Sequence, residues 1–192
     1  MLRQLYNWTL SFAQSPYALW VLALVAFAES SFFPIPPEVL LLPMIIATPS
    51  RAFLYAGVCT LASVAGGIAG YYIGAALYEV IALPILEFYH AAQEFQSFAA
   101  RYNDQGHWAV LFGGLSPFPY KIITIASGAT GLNFGAFVMW SLIARAVRYF
   151  LIALLLWKFG DPIRRFIERY LGWVFAAFLL LLLGGFYMLK FL

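Results

Sequence analysis

Apolar runs fill most of this chain, and two of them are broken in the same way. Residues 16–28 and 39–47 are apolar stretches separated by Phe33-Pro34-Ile35-Pro36-Pro37-Glu38. A second block starts at Trp108, breaks at Ser116-Pro117-Phe118-Pro119-Tyr120-Lys121, and continues to Gly128. Each piece is shorter than the roughly 20 helical residues that cross a bilayer. A proline inside a helix removes a backbone donor and clashes with the preceding turn. Each block therefore predicts two half-helices meeting at a proline-broken turn, with Pro34, Pro36, Pro37, Pro117 and Pro119 as the breakers. Such backbone survives at membrane depth only when buried in protein or facing a wet cavity. Pro34 and Pro117, Pro36 and Pro119, and Glu38 and Lys121 are each 83 residues apart. Broken helices at corresponding positions of two halves point to a transporter-type site.

Three other apolar runs are longer: 52–78, 134–157 and 171–189. The fold predicted is an all-α polytopic membrane protein. Its core is an inverted repeat of two re-entrant, proline-broken helical hairpins, each followed by a long transmembrane helix, with a C-terminal transmembrane helix added. The divisions are an amphipathic N-terminal segment (1–15), repeat 1 (16–84), an amphipathic connection (85–105), repeat 2 (106–158) and the C-terminal helix (159–192). Residues 3–14 read as an interfacial helix rather than a cleaved signal peptide, because polar residues interrupt any apolar core. Pro84 is expected to end the first long helix, and Asp161-Pro162 to open the last. Within 52–78, Gly66, Gly70, Tyr71 and Gly74 leave a groove that lets another helix approach closely. That face serves either internal packing or a homo-oligomer.

Composition strengthens the membrane reading. Of 192 residues, 64% are hydrophobic and 10% charged, with a mean hydropathy of +0.87; a soluble domain carries about a quarter charged residues. A net charge of +3 bears on loop orientation and gives no reason to expect nucleic acid. Lys158, Arg164, Arg165 and Arg169 place 158–169 in the cytoplasm by the positive-inside rule. The acidic stretch 79–105, with four acids against Arg101, then falls outside. A single cysteine, Cys59, reads as a small packed residue. His90 and His107 lack partners at metal-ligand spacing, and no metal or cofactor is expected. There is no phosphate-binding Gly-Lys-Ser/Thr loop and no Ser/His/Asp set, so an enzyme is not predicted.

The chemistry rests on charges in apolar context: Glu29, Glu38, Lys121, Arg145 and Arg148. Each is expensive when facing lipid, by about 2.5–3.5 kcal/mol on the most forgiving scale. They should therefore face one another or water. Glu38 and Lys121, as symmetry mates, are expected to meet near mid-depth. Arg145 and Arg148 lie one turn apart, and a guanidinium fork suits phosphate oxygens. The competing assignment is pairing with Glu29 and Glu38, or snorkelling, for which Arg148 is the better placed.

The segment from Phe27-Ala28-Glu29-Ser30 through Pro36-Pro37-Glu38-Val39-Leu40, followed by Gly66-x-x-x-Gly70-Tyr71-x-x-Gly74, resembles the DedA family, also called the VTT or SNARE-associated superfamily. The second half, from Ser116-Pro117-Phe118-Pro119-Tyr120-Lys121 to Arg148-Tyr149-Phe150, is similar to its YqaA-like branch. The resemblance implies a multi-pass bacterial inner-membrane protein with two facing re-entrant hairpins, of a family linked to moving lipids between leaflets and to pH homeostasis. It also implies that Glu29 and Glu38 are the membrane-embedded acids. Typical members carry Arg-Phe-x-Pro-x-x-Arg in the second hairpin. Here Gly114-Leu115 replace the first pair, and Lys121 stands near the second Arg.

The leading expectation is a translocase or scramblase-like transporter of a phosphorylated lipid, either a phospholipid or undecaprenyl phosphate. Lys121, Arg145 and Arg148 would attract phosphate, and Glu29 and Glu38 would relay protons. The alternatives are a proton- or cation-coupled transporter of a small solute, and a structural or assembly protein whose charges lock the hairpins.

Overall fold

A computed structural model describes residues 15, 17–32, 35–88, 92–116 and 119–188, with backbone alone at 85, 94, 161 and 163–188. The predicted helix over 3–14, the breakers Pro34 and Pro117, and His90 lie outside the described residues.

Every regular element described is helical. Two short helices come first, α1 (Ala18–Ser31) and α2 (Glu38–Ala47), separated by a break that ends at Pro37. A single 3-10 turn, Pro49–Arg51, leads into α3 (Ala52–Leu77). α3 continues through a π-helical turn, Tyr78–Ala82, into α4 (Leu83–Phe88). The polar connection forms α5 (Ala92–Asp104). A second pair of short helices follows, α6 (Gly106–Leu115) and α7 (Tyr120–Ala129), with Pro119 at the head of α7. The last element is α8 (Phe134–Met188). Two stretches are long and apolar enough to cross a membrane, Pro49–Phe88 and Phe134–Gly160.

Local chemistry explains these boundaries. At the end of α2 the Thr48 hydroxyl donates to the Met44 carbonyl (3.0 Å) and bonds the Tyr55 hydroxyl (2.8 Å). α7 ends with Leu132 N–H on Ser127 O and Gly131 N–H on Gly128 O. Gly131 has φ +67°, the left-handed conformation that closes a helix in this way. Asn133 then caps α8, its side-chain oxygen accepting from the Ala136 N–H at 2.9 Å.

Two proline expectations are corrected. Pro84 does not end the first long helix, because it falls in the first turn of α4 after the π-helical turn. Asp161-Pro162 does not open a new helix either, since Pro162 lies inside α8. One lost hydrogen bond does not divide a helix of 55 residues.

α3 is the central post. It packs against α1, α7 and α8, and α8 also touches α2 and α6. The glycine face permits this. A Cβ on Gly66 would strike the Phe27 carbonyl of α1, and one on Gly74 the Ile125 carbonyl of α7. A Cβ on Gly128 of α7 would in turn meet the Tyr71 carbonyl of α3. The face is thus used in internal packing. A larger apolar cluster joins Leu22, Leu41, Met44, Ile45, Cys59 and Tyr149, and a smaller one Val110, Leu132 and Phe137.

Candidate functional site: a buried charged centre

Both guanidinium groups come from α8, one turn apart, and both are held by carboxylates of the first proline-broken segment. Arg148 donates Nε (2.8 Å) to Glu38 Oε1, with Nη2 2.6 Å from the same oxygen. Its Nη1 donates to the Ser116 carbonyl at 2.7 Å. Glu38 occupies the first turn of α2, where the helix's positive end favours a carboxylate. Its Oε2 is buried without a hydrogen-bond partner.

Arg145 lies deeper, 1% exposed. Its Nη2 is 3.5 Å from Glu29 Oε2, and Nη1 donates to the Tyr149 hydroxyl at 3.3 Å. The guanidinium carbon stands 3.8 Å from the centroid of the Tyr120 ring, so the cation is held partly by the ring's negative face. The Tyr120 hydroxyl donates to Ser141. Nε and Nη2 of Arg145 nevertheless find no hydrogen bond.

Hydroxyl groups tie the centre to neighbouring helices. Ser30 donates to Glu29 Oε2 at 3.0 Å and lies 2.6 Å from the Ser63 hydroxyl of α3. With its one proton on Glu29, Ser30 accepts from Ser63. Thr124 of α7 lies 3.1 Å from the Ser30 carbonyl.

The structure thus brings Glu29, Glu38, Arg145 and Arg148 together, and resolves the arginines as paired rather than free. Arg148 is not a snorkeller. The sequence leaves open whether Glu38 and Lys121 pair; in the structure Lys121 enters neither ion pair between described side chains. The reason is packing, because α8 lies against α2 and supplies the cation first. Sequence reasoning missed Tyr120, Ser30, Ser63 and Ser141. The available signal was small hydroxyl residues recurring inside apolar helices beside the charges.

Away from the spans, the Tyr102 hydroxyl of α5 lies 3.0 Å from that of Ser127. Burial pushes Tyr102 above the ordinary tyrosine range, against a smaller lowering by Ser127.

Two helices long and apolar enough to cross a membrane, with ionisable groups turned inward, fit a helical membrane protein. The chain belongs to the VTT domain family, which it matches over residues 35–158, and so to the DedA group its motifs resemble. This is a membrane-associated family connected with transport rather than with enzymatic activity. It is 34% identical over 173 residues to an uncharacterized protein of Haemophilus influenzae, covering 88% of this chain and 89% of that one. An uncharacterized protein of Histophilus somni, named as a homolog of HI0703, is 35% identical over 173 residues, 88% and 90% of the two chains. No solved structure matches. Glu38, Lys121, Arg145 and Arg148 fall inside the matched region, and Glu29 lies just before it.

Proposed function

We propose that this protein moves a phosphorylated lipid between the leaflets of a bacterial inner membrane, through the charged centre between two re-entrant hairpins, α1–α2 and α6–α7. The observation that carries the reading is Arg145: a buried guanidinium whose Nε and Nη2 have no hydrogen bond. A buried charged donor left unmade is costly. Two nitrogens of one planar fork match two oxygens of a phosphate. An arriving headgroup would displace the long contact to Glu29, and Glu29 would then take a proton or remain beside Ser30.

Lys121 supports the same reading. It sits in the first turn of α7, where the helix's positive end disfavours a cation and favours an anion. Tyr120, its neighbour, touches Arg145. Arg148, by contrast, has all three nitrogens engaged, so it anchors Glu38 rather than phosphate.

A second reading, a proton-coupled transporter of a small solute, is favoured by Glu38 Oε2, a buried carboxylate oxygen without a partner. The test is a leaflet-exchange assay in proteoliposomes with a fluorescent phospholipid or a polyprenyl phosphate, with and without a pH gradient. Exchange should fall more than tenfold in Arg145→Gln and less in Arg148→Gln. A folded wild type that moves neither lipid would refute the lipid reading.

A further inference from the structure

Outside the charged centre, a groove runs along the outer face of α6. At its outer end Phe98 and Arg101 of α5 face Trp108 and Phe112 of α6 across a hollow of about 650 Å³. A second hollow of about 520 Å³ lies further along, bounded by Leu115, Ser116 and Ile123. The two share Ala109 and Phe112, so they form one track. Its walls are apolar, with Trp108 48% and Phe112 61% exposed and their rings stacked at 5.6 Å. Arg101 is exposed at one end and enters neither ion pair between described side chains. At the other end is Ser116, whose carbonyl receives Arg148.

We infer that this track is a binding site for one phospholipid molecule, its phosphate on Arg101 and an acyl chain along Trp108 and Phe112, and that it is the path to the charged centre. The second clause rests on the proposed function; the first does not. The charge pattern selects the occupant. An apolar helix laid in the groove would cover Arg101 without supplying an anion. Inorganic phosphate would satisfy Arg101 and leave the apolar walls bare. A phospholipid meets both, with its phosphate where aromatic and arginine side chains gather at a membrane interface.

The test uses full-length protein in vesicles containing phosphatidic acid with a photoactivatable group in its acyl chain, the adducts being mapped by peptide. Adducts should concentrate in 106–115 in the wild type. Arg101→Gln should lower them about tenfold, as expected for one lost charge-assisted hydrogen bond, and Arg101→Lys should restore part. Ala109→Leu, which fills the wall shared by the two hollows, should lower labelling beyond Phe112 with Arg101 intact. Equal labelling in wild type, Arg101→Gln and Ala109→Leu is the behaviour of bulk shell lipid and overturns the site. Displacement of the label by millimolar inorganic phosphate would make it a free-phosphate site and also overturn it. Leaflet exchange in the same vesicles separates the two proposals. Labelling in the groove without any wild-type exchange refutes the transport reading and leaves the site standing. Exchange that survives Arg101→Gln and Ala109→Leu but is lost in Arg145→Gln overturns the groove as a path.

Discussion

Glu38 pairs with Arg148 and not with Lys121, 83 residues along the chain, and this difference is measurable. In a double-mutant cycle, Glu38→Gln with Arg148→Met should show a coupling of about 0.5–3 kcal/mol. The cycle of Glu38→Gln with Lys121→Met should close within about 0.5 kcal/mol. Reversible unfolding in mild detergent reads both. Removing one partner of the deeper pair is harsher: Glu29→Leu leaves Arg145 buried opposite no charge and should destabilise by about 3–5 kcal/mol. The ring beneath Arg145 has two separable roles. Tyr120→Phe keeps the face over the cation and loses only the bond to Ser141, about 1 kcal/mol. Tyr120→Leu removes the face as well and should weaken the fold further. Tyr102 carries a pH dependence. Its hydroxyl is held above the ordinary value near 10, so the neutral form is favoured in the native state. That stability is complete below the unfolded value and is lost as pH rises through the folded one. Tyr102→Phe should flatten the alkaline limb of a stability–pH profile.

Among the elements, the glycine face of α3 gives a clean contrast. Gly66→Ala drives a methyl into the Phe27 carbonyl of α1 and should cost about 1–3 kcal/mol. Gly57, on the same helix, has open space around its Cβ direction. Gly57→Ala should be neutral or slightly stabilising, and thermal denaturation of the two variants side by side checks it. The elements also show where sequence reasoning works. Lengths of apolar runs located the helices around 52–78 and 134–157, and proline clusters located the gaps before α2 and α7. Hydrophobic period and backbone sterics are local, and local signals are visible in one dimension. What failed was local grammar overridden by context. Pro84 reads as a stop, yet the helix runs on through it to Phe88; Pro162 reads as a start, yet α8 runs through it. The partner of Glu38 lies 110 residues away. Which helix packs on α2 is decided by the whole bundle, so the repeat offset alone does not choose between Lys121 and the arginines of α8. The hydroxyls of Ser30, Ser63 and Ser141 look like ordinary polar residues until tertiary structure gathers them around Glu29 and Arg145.

For the molecule as a whole, Cys59 is a useful reporter. It is the only cysteine of the chain and is fully buried between α1, α2 and α8 residues. A membrane-permeant maleimide should leave the native protein almost unlabelled and react as the bundle opens, so its labelling rate should rise in Glu29→Leu before global unfolding. Fast labelling of native wild type would contradict the packing described here. The glycine contacts carry a mechanical consequence. At Gly66, Gly74 and Gly128 backbone lies on backbone, so at those points α1, α3 and α7 have no side chain between them to yield. Both arginines, however, ride on the single rod α8, while their carboxylates sit on α1 and α2. Displacing that one helix would therefore part both ion pairs together.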